Sequence, residues 1–190
     1  MEEILIIGGG GHAKSVIDVI EQQKKYKIVG IIDTSENLGK EILGHKVIGT
    51  DENLPEFKTK VKNATIAIGQ IKTNELRVSI FKRLKKLGFN LPVIISPFAY
   101  VSKYSKIDEG TVIFHHAVVN AGSTIGKNCI INTKALIEHD AIIQDHCHIS
   151  TGGIVNGGAI VKSNTFFGSN AVSRENIEIE GFIKAGSLAK

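Results

Sequence analysis

The sequence predicts an α/β domain over residues 1–94 and a repeat domain over residues 95–190, on two observations. The first is a period. From Ile95 and Val101 through Ile137 and Ile143 to Phe167, an aliphatic or aromatic side chain returns at every sixth position. Four places after each stands a small residue, among them Ala99, Ala117, Cys129, Ala135, Cys147 and Ala159. A six-residue period fits neither a helix nor the plain alternation of a strand. It marks a repeat whose units bury their apolar side only by stacking on one another. The second is a glycine-rich turn, Gly8 to Gly11, between an apolar run and a helical pattern.

Residues 3–7 read as a buried strand, and Val16, Ile17, Val19 and Ile20 give the helix after the turn. Val29 to Ile32 is the next strand and ends at Asp33. Gly8, Gly10 and Ala13 satisfy the dinucleotide fingerprint, with Asp33 at the expected distance for an acidic partner. Free N–H groups at a helix start carry partial positive charge and bind phosphate, and glycine lets the ligand approach the backbone. His12 either reaches toward phosphate or sugar or caps the turn. Thr65 to Ile68 reads as a third strand closing at Gly69. A helix follows over residues 74–87, with Leu76, Ile80, Leu84 and Leu87 inward. Val93 to Ile95 is a last short strand. Ligands of such sheets bind at the strand C-termini, so Gly8 to Ala13 (Gly10, Gly11 and His12 among them), Asp33 and Gly69 share one rim.

The net charge of +4 is mild and the lysines are scattered, which favours a solvated surface over a nucleic-acid interface. No apolar run reaches membrane-spanning length, and the N-terminus lacks the features of a signal peptide. The chain therefore reads as cytoplasmic. Cys129 and Cys147 fall in the small-residue column eighteen residues apart, stacked in the core if three hexads make one coil. They behave there as small hydrophobes.

Five histidines interrupt the repeats: His115, His116, His139, His146 and His148. His139 stands between Glu138 and Asp140. A carboxylate bonded to one imidazole nitrogen fixes the tautomer and makes the other nitrogen a better base.

The chain resembles the hexapeptide-repeat acyltransferases. It is closest to the branch of sialic acid O-acetyltransferases and nucleotide-linked 4-amino-sugar N-acetyltransferases. The residues that carry this are Ile6 to Ala13, Ile66 to Gly69 with Arg77, Ser96-Pro97, the hexad register, and Asn132-Thr133 through His139-Asp140 to His148. The resemblance implies a Rossmann-like sugar-nucleotide domain and a left-handed parallel β-helix working as a homotrimer. It implies acetyl-CoA as co-substrate, a nucleotide-linked amino sugar as acceptor, and no metal.

By the same resemblance His139 is the general base and Asp140 the acid behind it. Asn132 holds the acceptor amine, and His148 lies near the thioester, with Ser169 and Gly186 also on acetyl-CoA. Gly157, one coil beyond His139, is the candidate oxyanion donor, with Gly158 as the fallback. The register breaks near Val172–Asn176 and resumes at Ile177 and Ile183, and the family's closing hairpin-like arm is missing. A sialic-acid-type O-acetyltransferase is the nearest alternative. A zinc hydratase of the γ-carbonic-anhydrase kind would need His116, His139 and His146 to converge. A silent binding module is a third reading.

Overall fold

The computed structural model describes residues 1–190 and divides into two compact units. The first comprises Met1–Gly69 and Glu75–Pro92; the second comprises Gln70–Asn74 and Val93–Lys190.

In the first unit the elements are β1 (Glu2–Ile7), α1 (Gly11–Gln23), β2 (Tyr26–Ile32), β3 (Glu41–Ile42), β4 (His45–Gly49), α2 (Leu54–Lys60), β5 (Asn63–Ile66) and α3 (Glu75–Lys86). They form a five-stranded sheet in the order β3-β4-β2-β1-β5. Pairing is parallel except for the β3–β4 hairpin. β1 is central, and Ile4 to Ile7 are buried on both faces, which is why the strand is continuously apolar. The chain runs outward from β1 to β2 and β4, then returns to β5 on the other side of β1. That reversal makes a switch point at the carboxyl ends of β1 and β5, where such sheets receive ligands.

Two readings of this unit need correction. Leu76 is 59% exposed, and the inward stripe of α3 is Arg77, Ile80, Phe81 and Leu84. Helical spacing puts these four on one side and Leu76 beside it. The third strand ends at Ile66 because Arg77, fully buried, claims the chain beyond it. Its Nη1 donates to the carbonyls of Ile66 at 2.8 Å and Ile68 at 2.9 Å. The hairpin and α2 were not anticipated.

The second unit is a left-handed parallel β-helix of two-residue strands, three to a coil. Its first face starts at β6 (Ile94–Ile95), which pairs with Val112–Ile113, so this strand opens the β-helix rather than closing the α/β sheet. The second face runs from Tyr100–Val101 through Val118–Val119 and Leu136–Ile137 to Leu188–Ala189. The third runs from Lys106–Ile107 through Thr124–Ile125 and Ile142–Ile143 to Glu178–Ile179. Partners lie one coil apart, as in Ile137 with Val155 and Ile143 with Val161.

The hexad column points inward and forms the core from Ile113 to Phe167, with the small column beside it. Cys129 and Cys147 are reduced and fully buried. Their thiols donate to the carbonyls of Gln144 at 3.1 Å and Lys162 at 3.0 Å. From Gly110 to Asn176 the residue before the small position takes a left-handed conformation, including the non-glycines His116, Lys134, Asp140 and His146, with φ from 59° to 61°.

The register does not break near Val172–Asn176. Ser173 and Ile179 occupy the inward column, 1% and 3% exposed, and Ile177 occupies the small one. A serine fits the apolar column because its hydroxyl accepts the Asn156 N–H at 2.8 Å. The true irregularity comes later: Phe167 pairs with Ile183, so the last turn around Glu180-Gly181 is two residues short.

Candidate active site

At the corner between the second and third faces, Asp140 follows His139 in the left-handed conformation, φ 59°. This turns its carboxylate back on the preceding imidazole, and His139 Nδ1 lies 2.9 Å from Asp140 Oδ2. A carboxylate accepts, so Nδ1 carries the proton and Nε2 keeps its lone pair. The Asp140 hydrogen bond, reinforced by the charges of Asp140 and Glu138, raises the His139 pKa above its ordinary value. Glu138 is itself held, its Oε2 accepting Asn120 Nδ2 at 2.8 Å and the His139 N–H at 3.3 Å. The pair is solvent-facing in the single chain, 68% and 72% exposed.

One coil on, Gly157 lies against the His139 ring. A Cβ there would sit 2.8 Å from Cε1 and Nε2, closer than packed atoms allow, so only glycine fits with the ring in this pose. The Gly157 N–H makes no hydrogen bond within the chain. Gly158 is different: its N–H donates to the His139 carbonyl at 3.1 Å, which removes it as an oxyanion donor. The corner thus combines a basic nitrogen, its orienting acid and an unspent backbone N–H, which is the equipment of acyl transfer.

Asn132, Ser169 and Gly186 are elsewhere, at the corner between the first and second faces. A single chain therefore does not bring them to His139; they lie across the second face from it. His148, on the first face, is 5% exposed. Its Nδ1 is 2.6 Å from the Gln70 carbonyl and its Nε2 3.1 Å from Asn132 Nδ2. Both ring nitrogens are thus engaged within the chain. Ser169 Oγ pairs with Ser150 Oγ at 2.9 Å, and the Gly186 N–H bonds the Ser169 carbonyl at 2.8 Å. His116, His139 and His146 occupy three different corners, so within one chain they do not converge on an ion.

In the first unit a cavity of about 480 Å³ opens at the carboxyl ends of β1 and β2. Gly8, Asp33, Thr34, Ser35, Asp51 and Glu52 line it, with Leu76 and Ile80 on its apolar side. Asp33 is held by Asn37 Nδ2 at 2.9 Å. Gly8, φ 101°, passes so close to Ile68 that a side chain would strike it, and a side chain at Gly9 would meet the Asp33 carboxylate. Gly10 and Gly11 face open space at the start of α1. Gly10 is the N-cap of α1, and His12 packs beside Gly69. Of the predicted rim, Gly8 and Asp33 line the cavity. Thr34 and Ser35 continue the turn after Asp33, whereas Asp51 and Glu52 follow β4, which has no clear signal in the sequence.

Comparison with known proteins agrees with this fold. The sequence model of the PglD N-terminal domain matches residues 3–84. The acetyltransferase domain of PglB from Neisseria gonorrhoeae FA1090 is 31% identical with a TM-score of 0.90, over 100% of this chain and 92% of that one. The same domain in complex with acetyl coenzyme A gives the same identity and score over 97% and 89%. A histidine-to-asparagine variant of perosamine N-acetyltransferase from Caulobacter crescentus, in complex with CoA and GDP-perosamine, is 27% identical with a TM-score of 0.72, over 99% and 93%. No curated protein sequence matches the chain.

Fold and relatives together define an acyltransferase built on a left-handed β-helix. Within that class the chain belongs to the PglD-like acyltransferase family.

The Gly157 contact gives a direct test. Gly157→Ala should push the His139 ring aside and lower kcat by about a hundred-fold, as displacements of about 1 Å at a reacting group do. Circular dichroism and thermal midpoint should stay near wild type; unchanged kcat would show that ring placement does not matter.

Proposed function

We propose that the chain is an acetyl-CoA-dependent N-acetyltransferase acting on the 4-amino group of a nucleotide-linked amino sugar. The observation that carries this is the His139–Asp140 pair seated over Gly157. The nucleotide enters the cavity beside Gly8 and Asp33, where the first unit offers both polar and apolar lining. The amine nitrogen attacks the thioester carbonyl carbon, and the carbon–sulfur bond breaks as the amide forms. His139 Nε2 takes the proton the amine sheds and returns it to the departing CoA thiolate. The Gly157 N–H meets the carbonyl oxygen as it gains charge, a contribution of about 3–4 kcal/mol for one well-placed donor. No acyl-enzyme is involved; Cys129 and Cys147 are buried in the core.

The working form is a homotrimer packed through the second face. Its outward column is Tyr100, Val118, Leu136, Ile154, Val172 and Leu188, apolar throughout. The third face mixes Lys106, Thr124 and Glu178 with Ile142 and Ile160 in the same places. Contiguous apolar surface of this kind marks an interface. A three-fold arrangement of second faces sets the His139 corner of one copy beside the Asn132 and Ser169 corner of the next. That supports a composite site, with acetyl-CoA lying along the boundary between copies.

Acetyl transfer from acetyl-CoA, screened across UDP-, GDP- and dTDP-linked 4-amino sugars and free sialic acid, tests the reading. We expect turnover with one of the amino sugars, and His139→Ala should lower kcat by at least about a hundred-fold. Turnover of sialic acid alone, or full activity in the variant, would overturn it. Transfer needs unprotonated Nε2, so kcat/KM should rise with pH through the raised His139 pKa and then level. Asp140→Asn should move that midpoint down, because the interaction that raises it is lost. An unmoved midpoint would assign the titration elsewhere. Leu136→Glu should give a monomer by sedimentation, with its fold intact and transfer lost; an active monomer would refute the composite site.

A further inference from the structure

The segment Gln70–Asn74 leaves Gly69, crosses to the β-helix and belongs to that unit. It is pinned there by side chains. Gln70 Nε2 donates to the His146 carbonyl at 3.0 Å, and Asn74 Nδ2 donates to Asn164 Oδ1 at 2.7 Å. The remaining anchor is His148, whose ring joins the Gln70 carbonyl to the Asn132 amide.

The polarity of this chain of bonds is forced from both ends. The Gln70 carbonyl only accepts, so His148 Nδ1 carries a proton. At the far end the Thr133 N–H only donates, and it lies 2.8 Å from Asn132 Oδ1. That contact turns Asn132 Nδ2 toward His148, so Nε2 must be the acceptor and unprotonated. A proton on Nε2 would face the amide N–H₂, and relief by flipping the amide would break the Thr133 bond. The ring is edge-on to Phe166, with centroids 5.2 Å apart, which blocks rotation out of the relay. His148 is thus a buried titratable group that the transfer step does not use.

We propose that His148 is a positioning residue, locked as the neutral Nδ1–H tautomer. One nitrogen fixes the Gln70 carbonyl, directly after Gly69 in the chain, and the other fixes the Asn132 amide at the corner between the first and second faces. The catalytic consequence rests on the function proposed above; the tautomer does not.

The test has two arms. In ¹⁵N spectra of the ligand-free protein, with His148 assigned by difference from His148→Asn, Nε2 should be unprotonated and unchanged from about pH 5 to 8, where ordinary histidine titrates. A protonated Nε2, or titration near the ordinary midpoint, would overturn the proposal whatever the enzyme's substrate proves to be. In kinetics with the amino sugar found active, the two amide replacements should separate. His148→Asn places a donor near Nδ1 and keeps the strap, so the sugar-nucleotide KM should stay within about two-fold while kcat falls about ten-fold, the worth of one hydrogen bond. His148→Gln reaches the Asn132 end instead, so KM should rise about ten-fold with kcat largely kept. Equal losses of both parameters in both variants would leave His148 a packing residue and refute the positioning role.

Discussion

Stacking of parallel strands at a repeat of eighteen residues governs the second unit. Once Ile137 pairs with Val155 and Ile143 with Val161, the corners between them are also placed one above the other. Gly157 has no freedom to be anywhere but over His139. The left-handed corner residue then turns Asp140 back onto the ring. A rigid ladder of backbone hydrogen bonds thereby holds the exposed His139–Asp140 pair with almost no side-chain packing of its own. Preorganisation of this sort costs nothing at the moment of reaction, because the scaffold is already assembled.

The same ladder explains what was legible in the sequence. Ile137, Cys147 and Val161 report their positions directly, since the period is long, unbroken and tied to burial. Gly157 was legible for the same reason. Legibility fell where a polar residue stood in an apolar column. Ser173 looked like a break because the Asn156 N–H that satisfies it is distant in sequence. The two-residue deletion at Glu180-Gly181 was hidden because Ile183 also suited the uncorrected count.

In the first unit the unread elements were short and ambiguous. The Leu43-Gly44 hairpin turn has both residues at positive φ, 49° and 81°, and a leucine gives no sign of that. A capping box from Thr50 to Asn53 opens the 3₁₀ turn that leads into α2, whose first turn carries Pro55. The signal was there, but the helix is only seven residues long. Leu76 and Arg77 exchanged their expected places because two backbone carbonyls satisfy the guanidinium, a long-range arrangement that residue type alone does not disclose. Asn132 and His148 were grouped with His139 through resemblance, whereas one chain separates them by a face.

The two thiols have a consequence at the bench. Both cysteines are wholly enclosed, and each sulfur already donates to a main-chain oxygen. In the folded protein a colorimetric thiol reagent meets neither of them. Every acetyl transfer from CoA frees one sulfhydryl into solution, and nothing in the enzyme competes for the dye. Turnover is readable continuously against a dark background, and a slow appearance of protein sulfhydryls in the same cuvette becomes a built-in clock for unfolding.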